Sequence, residues 1–452
     1  MHIVIIGAGK VGSQIASQLV SEGHDIVMID NNPKSLAAVG SIEDILCIEG
    51  EAVSRVTLKE ADAGEADVVI ACTNSDEINM LSCLLVRKMG AKRTIARVRN
   101  PVYYEQIDYI KDDLGLSLSI NPERSAARAI SRVLLFPAAN NVETFSHGKV
   151  ELVEFTLEKG NPLIGKSLME ISRVYKARVL MCAIIRGEKT FIPVGSDVLE
   201  ENDRIFVAAD HAQMIAFFKK IEAFRSGVKT VIIVGGGRIA YYLAERLISH
   251  GMTVKIIENS AARCEELAEL LPSAIIVNAD GTDEEVLGEE GIHQTDAFVA
   301  LTGMDEVNVI LSIYAEKKNV EKVVAKVSQI SFSDMIDGLG LDSVFSPKTV
   351  TANQILQYVR ALAASSELNS IESLCRLAGN RIEALEFLIH EGTEYIGTPL
   401  RMLNVKKGFL VAVIIRGNNV IIPGGDDTVE VGDSVIIVTT HNKVQSLDEV
   451  FE

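Results

Sequence analysis

Gly7-Ala8-Gly9-Lys10-Val11-Gly12 has the spacing GxGxxG, follows the apolar run Ile3-Val4-Ile5-Ile6 directly, and is answered by Asp30 at the end of the next apolar run. In a turn of this kind the first glycine permits a tight bend. The second lets a pyrophosphate approach the backbone, and the third lets helix and strand pack closely. The first N–H groups of the following helix lack intrahelical partners and face the phosphates. A carboxylate about twenty residues further on takes ribose hydroxyls. It also repels a 2′-phosphate, so the pattern points to NAD(H) ahead of NADP(H).

The motif occurs twice. Val231-Ile232-Ile233-Val234 runs into Gly235-Gly236-Gly237-Arg238-Ile239-Ala240, with Glu258 in the place of Asp30, and both pairs lie 228 positions apart. Ala240 for the third glycine is a permitted change, and Glu258 has a longer reach. The second turn is therefore either another nucleotide site or a retained scaffold with an altered pocket. Further matches lie at 229, Asp67–Asn79 against Asp296–Asn308, and at 230, Ile184–Pro193 against Ile414–Pro423. A register sustained over that length marks an internal duplication.

Open α/β sheets bind ligands at the carboxyl ends of their strands. Glu51 and Asp280 follow the third strand of each copy, and Thr73 and Asn74, with Thr302 and Gly303, follow the fourth. They are candidates for the adenosine and ribose portions. Thr73, Ser75 and Asp76 also suit the cap of a helix, and capping explains Asp76 better than binding does. Arg97 and Lys326 end the fifth strands, where each can reach a phosphate or form an ordinary salt bridge.

Gly160-Asn161-Pro162-Leu163-Ile164-Gly165-Lys166-Ser167 fits GxxxxGK[ST], but Leu163 and Ile164 are bulky where a phosphate cradle needs small residues. The sister segment keeps Gly392 and Gly397 with Thr398-Pro399 for Lys166-Ser167, so a turn and a helix start are what the copies share. No HxH, HExxH or GxSxG is present among the eight histidines and the serines. No catalytic or metal-binding set emerges. An NAD-dependent oxidoreductase remains the rival function, but the small lobes supply only His147, His211, His390 and His441 as proton donors, out of repeat register. A small-molecule sensor without a transport partner is a third reading.

The elements that must position these residues follow from the pattern. The 452 residues, 48% hydrophobic, allow several domains, each with its own core. Short apolar runs at 3–6, 25–29, 45–48, 67–71 and 93–97, alternating with helical patterns, predict a parallel sheet buried on both faces. Residues 122–138 predict a helix with Ala126, Ala129, Ile130, Val133 and Leu134 on one stripe, a candidate for packing between subunits. Strands are expected at 150–157, 178–185, 190–194 and 204–209, with a hairpin turn at Arg186-Gly187-Glu188.

The predicted fold class is α/β: two Rossmann-type parallel-sheet lobes, each followed by a small α+β lobe. The expected boundaries are 1–124, a connecting helix at 125–141, 142–226, then 227–347, a connecting helix at 348–368, and 369–452.

No apolar run approaches the ~18 residues of a membrane span. The chain also begins with a strand in place of a signal peptide. Six scattered cysteines suit reduced thiols. A net charge of −18 argues against nucleic acid and against unaided docking on anionic lipid.

The order of lobes, together with Val4-Ile5-Ile6-Gly7-Ala8-Gly9-Lys10-Val11-Gly12, Asp30, Asn121-Pro122-Glu123 and Asn161–Leu168, resembles the TrkA family. These are peripheral regulatory subunits of the Trk potassium-uptake systems of bacteria and archaea, and their units are called RCK or KTN domains. The resemblance covers essentially the whole chain. It implies NAD(H) at Gly7, Ala8, Gly9, Lys10, Val11 and Asp30, with Gly235, Gly237, Arg238, Ile239 and Glu258 as the second set, and ATP or ADP as competing ligands. It implies a regulator and not an enzyme, at the cytoplasmic face of the membrane, bound to a potassium-translocating subunit of TrkH or TrkG type. Rings of eight such units would take four copies of this chain, a homotetramer. Ala240 and Lys326 depart from the first copy and leave the second site's preference open.

Overall fold

The computed structural model describes residues 1–40, 45–136, 138–221, 227–328, 343–364, 371–378, 381–393, 395–441, 444 and 446–451. The apolar runs near the start become β1 (His2–Ile6), β2 (Asp25–Asp30), β3 (Ile45–Glu49), β4 (Val68–Ala71) and β5 (Thr94–Arg97). Between them lie α1 (Lys10–Ser21), α2 (Pro33–Val39), α3 (Arg55–Glu60) and α4 (Asp76–Met89). Next come α5 (Pro101–Ile110), β6 (Leu118–Ile120) and α6 (Pro122–Leu135). The strands pair in parallel in the order β3-β2-β1-β4-β5-β6. This is the doubly wound order whose switch point lies between β1 and β4. Ile3 to Ile6 and Val68 to Ala71 are buried on both faces, as continuous apolar strands must be. β6 was not anticipated: three residues are too few for a pattern to register.

The second parallel sheet repeats the first. It contains β12 (Thr230–Val234), β13 (Thr253–Glu258), β14 (Ile275–Asn278), β15 (Ala297–Ala300), β16 (Lys322–Lys326) and β17 (Val344–Phe345), in the order β14-β13-β12-β15-β16-β17. Its helices are α9 (Arg238–Ser249), α10 (Ala261–Leu270), α11 (Glu284–Glu289) and α12 (Asp305–Lys317), followed by α13 (Pro347–Ala364).

The small lobes are antiparallel. The first has β7 (Asn141–Phe145), β8 (Val150–Thr156), β9 (Leu180–Arg186), β10 (Lys189–Phe191) and β11 (Arg204–Ala209), with α7 (Leu168–Tyr175) and α8 (His211–Lys220). The second has β18 (Ile371–Leu377), β19 (Ile382–Leu388), β20 (Phe409–Arg416), β21 (Asn419–Ile421) and β22 (Ser434–Thr439). The sheet orders, β10-β9-β11-β8-β7 and β18-β19-β22-β20-β21, are the same arrangement read from opposite ends. The hairpin expected at Arg186-Gly187-Glu188 is the β9–β10 turn, where Gly187 takes φ +57°.

The chain forms two compact units. Met1–Ala126 with Ser346–Val359 make one, and Ala127–Phe345 with Arg360–Glu452 make the other. Most of α13, expected to serve as a connection, therefore completes the first unit. There Gln354 accepts a 3.0 Å hydrogen bond from Ser125 Oγ. Along the stripe expected on α6, Ala126, Ile130, Val133 and Leu134 are fully buried and Ala129 is half-buried.

In the second unit the two small sheets share one core, which includes Phe145, Leu152, Phe206, Leu377, Ala412 and Ile436. Hydrogen bonds from Ser146 N to Glu386 and from Lys149 Nζ to the Gly417 carbonyl, at 3.0 and 2.8 Å, join them further.

Candidate nucleotide site

The glycine turn between β1 and α1 is held by contacts that admit no side chain at two of its positions. Gly7 has φ +110°, and a Cβ there would stand 3.0 Å from the Cys72 carbonyl carbon and Thr73 N. A Cβ at Gly12 would lie 1.9 Å from the Gly7 carbonyl oxygen. At Gly9 a Cβ would meet nothing within 4 Å, so the turn is open on that side. Beneath it Cys72 is buried, its thiol donating to the Gly7 carbonyl at 3.5 Å. Burial pushes that thiol up to about 12, so it stays protonated.

Side chains cap α2, α3, α4, α5, α7, α8, α10 and α11: Asn32, Ser54, Ser75, Asn100, Ser167, Asp210, Ser260 and Asp283. α1 and α9, which begin at Gly9 and Gly237, have no side-chain cap, and neither has α12 after Met304; only the first two open from a glycine turn. A helix start without a cap presents backbone donors and the positive end of the helix dipole, which suits a phosphate. Lys10 and Arg238 are exposed at these two starts.

Asp30 braces the turn. Its Oδ2 accepts from Ala8 N at 2.6 Å and its Oδ1 from Asn32 N at 2.8 Å. A carboxylate has about four lone-pair sites, so capacity remains for ribose hydroxyls. Glu258 does the same in the second lobe, accepting from Gly236 N at 2.7 Å and Ser260 N at 2.8 Å. Glu51 accepts from Asn31 Nδ2 at 3.2 Å and so lies beside Asp30. Asp280 differs: it closes a local turn with Thr282, whose backbone and hydroxyl hydrogen bonds lower its pKa.

The polar residues past β4 prove to be framework. Thr73 gives both N–H and hydroxyl to Asn79 Oδ1, at 2.8 and 2.7 Å, and Thr302 repeats this on Asn308. Asn79 and Asn308 are wholly buried, and each donates to the carbonyl that ends the fifth strand, Arg97 or Lys326, at 2.9 Å. Sequence reasoning passed over these asparagines as ligand-frame residues. Their signal was an amide at matching repeat positions on the buried face of a helix.

Capping does not explain Asp76. Ser75 caps α4, while Asp76 accepts from Arg99 N and Asn100 N at 2.8 and 2.7 Å and so ties the α4 start to the loop after β5. Asn74 is exposed, and its carbonyl accepts from Arg99.

Arg97, at the end of β5, makes the ion pair that was one of its two expected roles. It pairs with Glu123 of α6 at 3.8 Å and lines a small cavity with Val11, Ile15, Cys72, Thr351 and Ile355. Burial lowers its pKa, opposed by the Glu123 charge. Lys326 donates to the Thr302 carbonyl, and burial lowers its pKa too.

The GxxxxGKS segment is a turn leading into α7. Lys166 folds back on the Pro162 carbonyl, Leu163 is fully buried, and Ser167 and Glu170 form a capping box.

Models of the TrkA-N domain match residues 3–122 and 231–347, and those of the TrkA-C domain match 152–222 and 384–452. A Trk system potassium uptake protein TrkA homolog of Archaeoglobus fulgidus is 33% identical over 453 residues, all of both chains. The Trk system potassium uptake protein TrkA of Haemophilus influenzae is 30% identical over 461 residues, all of this chain and 99% of that one. Among solved structures, the GsuK RCK domain matches with TM-score 0.64 and 19% identity, covering 99% of this chain and 94% of that one. The GsuK channel bound to NAD matches with TM-score 0.64 and 19% identity, over 99% and 78%. At that identity the likeness speaks for the fold. With TrkA-N and TrkA-C segments twice in tandem and relatives matched from end to end, the chain belongs to the TrkA family.

Proposed function

We propose that the chain is a nucleotide-sensing regulatory subunit of a potassium-uptake system. It takes NAD(H), with ATP or ADP as competitors, and gates a potassium-translocating membrane subunit of TrkH or TrkG type. The observation that carries this reading is the repeated glycine turn, in each lobe braced by a carboxylate and opening a helix whose first N–H groups have no side-chain cap.

Gly7, Ala8, Gly9, Lys10 and Val11 would hold the pyrophosphate, Asp30 the ribose, and Glu51 the rim beside it. Thr73, Asn74 and Arg97 would set the floor and walls. Gly235, Gly237, Arg238, Ile239 and Glu258 are the second set, with Asp280 and Thr302 at its border. The relatives' names, as potassium uptake proteins, and the NAD and ADP bound to GsuK in its solved structures support the assignment. Among the described residues no helix is long and apolar enough to cross a membrane, which fits a peripheral place on the cytoplasmic face beside a separate pore subunit. A homotetramer would supply a ring of eight units.

A ligand shifts such an assembly only through unequal affinity for its two shapes. Asp30→Ala should weaken NADH binding in calorimetry and blunt the NADH response of potassium flux through the reconstituted pair. NADH affinity and flux response both equal to wild type would remove the first cleft from the mechanism.

A further inference from the structure

The duplicated clefts differ at one point that bears on what each can admit. In the first lobe the Ala8 carbonyl accepts from Ser13 Oγ of α1 at 3.1 Å. In the second lobe the matching carbonyl, that of Gly236, accepts from Arg263 Nε at 2.7 Å. Arg263 stands on the first turn of α10, just past the strand that ends in Glu258, and its counterpart at the same repeat interval is Ser35. The methyl of Ala8 is missing there for a steric reason: a Cβ at Gly236 would lie 2.7 Å from Leu267 and 3.0 Å from the Glu258 side chain. The two substitutions bring a guanidinium onto the ribose side of the second turn, where the first lobe has a hydroxyl.

That guanidinium is accessible. The Arg263 side chain is 23% exposed, its Nη1 meets Glu266 at 2.5 Å, and Glu266 is 58% exposed. An ion pair spaced i,i+3 with one partner in solvent is weak and easily exchanged for a better partner. Both Glu258 oxygens accept backbone N–H groups, as both Asp30 oxygens do, so the carboxylates are alike and the difference between the clefts lies in Arg263. An arginine beside the acidic residue of a Rossmann turn is the usual means of accommodating a 2′-phosphate, through paired charge-assisted hydrogen bonds.

We infer that Arg263 is a specificity-determining residue. The second cleft admits an adenine dinucleotide carrying a 2′-phosphate, of the NADP(H) class, while the first cleft, with Asp30 and Ser35, rejects it. The inference rests on the nucleotide reading of both clefts, and the two can fail separately.

The test uses the full chain with one cleft silenced at a time. Gly9→Val and Gly237→Val place a side chain in open space, so each should block a pyrophosphate without disturbing packing. Calorimetry with NADH and NADPH on each protein then reads the preference of the remaining cleft. With Gly9→Val, NADPH should bind within about tenfold of NADH, and with Gly237→Val it should be weaker by a far larger factor. Adding Arg263→Ala to Gly9→Val should cost NADPH about tenfold or more, the scale of one lost charge-assisted contact, and leave NADH nearly unchanged. Arg263→Lys, which keeps the charge, should recover part of that loss.

An unchanged NADPH affinity in the Arg263→Ala protein overturns the inference. So does an equal fall for both dinucleotides, which would make Arg263 a support for the turn. NADH bound at the first cleft with neither ligand at the second removes the inference alone. A wild-type chain that binds neither dinucleotide removes the nucleotide reading and the inference with it.

Discussion

The buried amide of Asn79 donates to the Arg97 carbonyl at 2.9 Å and thereby fastens the start of α4 to the end of β5, under the mouth of the first cleft. Asn308 makes the same bond to Lys326 in the second lobe. Asn79→Ala would leave Thr73 N and the Arg97 carbonyl without their partner. We expect a loss of about 2–3 kcal/mol in chemical denaturation of the first unit. A change below about 0.5 kcal/mol, within surface-substitution range, would show that water replaces the amide at little cost.

Gly9 and Gly12 should separate binding from folding. Gly12→Ala drives a Cβ into the Gly7 carbonyl and should destabilise by about 1–3 kcal/mol. Gly9→Ala meets open space, so its melting temperature should stay near wild type while NADH affinity falls. Equal melting temperatures for the two variants would contradict the close approach of α1 to the turn.

Asp67 and Asp296 should contribute to the acid limb of stability. Lys92 and the His2 N–H hold Asp67 below the usual carboxylate value of 3.8. Asp296 is lowered by the Lys229 and Thr230 N–H groups and the Thr230 hydroxyl, against its own burial. A depressed folded-state pKa stabilises above the unfolded value, and that contribution is lost as the pH falls through the folded one. Asp67→Asn should therefore flatten the loss of stability below about pH 4, seen in denaturation midpoints across that range. An unaltered acid limb would mean that the Lys92 and His2 contacts persist in the unfolded chain.

Thiol labelling should be selective. All six cysteines are unpaired, and Cys47 alone is half-exposed. Burial holds the Cys72, Cys83 and Cys182 thiols at about 12 and that of Cys375 well above the ordinary value. A disulfide reagent at neutral pH should react first at Cys47 in the native protein, and at all six after unfolding. Rapid labelling of Cys72 would show that the floor of the first turn opens in solution.

Lys166→Ala should leave ATP and NADH binding unchanged, because Lys166 is committed to the Pro162 carbonyl. A tenfold loss of ATP affinity would return the GxxxxGKS segment to consideration as a phosphate site.

The glycine turns, their acids and the repeat were legible because each rests on residues close in sequence. Gly7 to Gly12 can be read as a unit, and so can the strand ending at Asp30. The roles that escaped depend on partners far along the chain. Asp76 fits a cap until its partners at Arg99 and Asn100 are known, and nothing near Arg97 in sequence names Glu123 as its ion-pair partner. Arg263 gave no sign of reaching Gly236, since 27 residues and a strand separate them. β6 and β17 are too short for periodicity to mark, and only pairing with β5 and β16 defines them.

Because Ser346–Val359 completes the unit built on Met1–Ala126, duplication has not left two self-sufficient halves. A fragment that stopped after the first small lobe would lack Thr351 and Ile355, two walls of the cavity beside Val11 and Ile15. Cutting the coding sequence at its internal symmetry point should yield an insoluble or misfolded first product unless the later helix is supplied in trans.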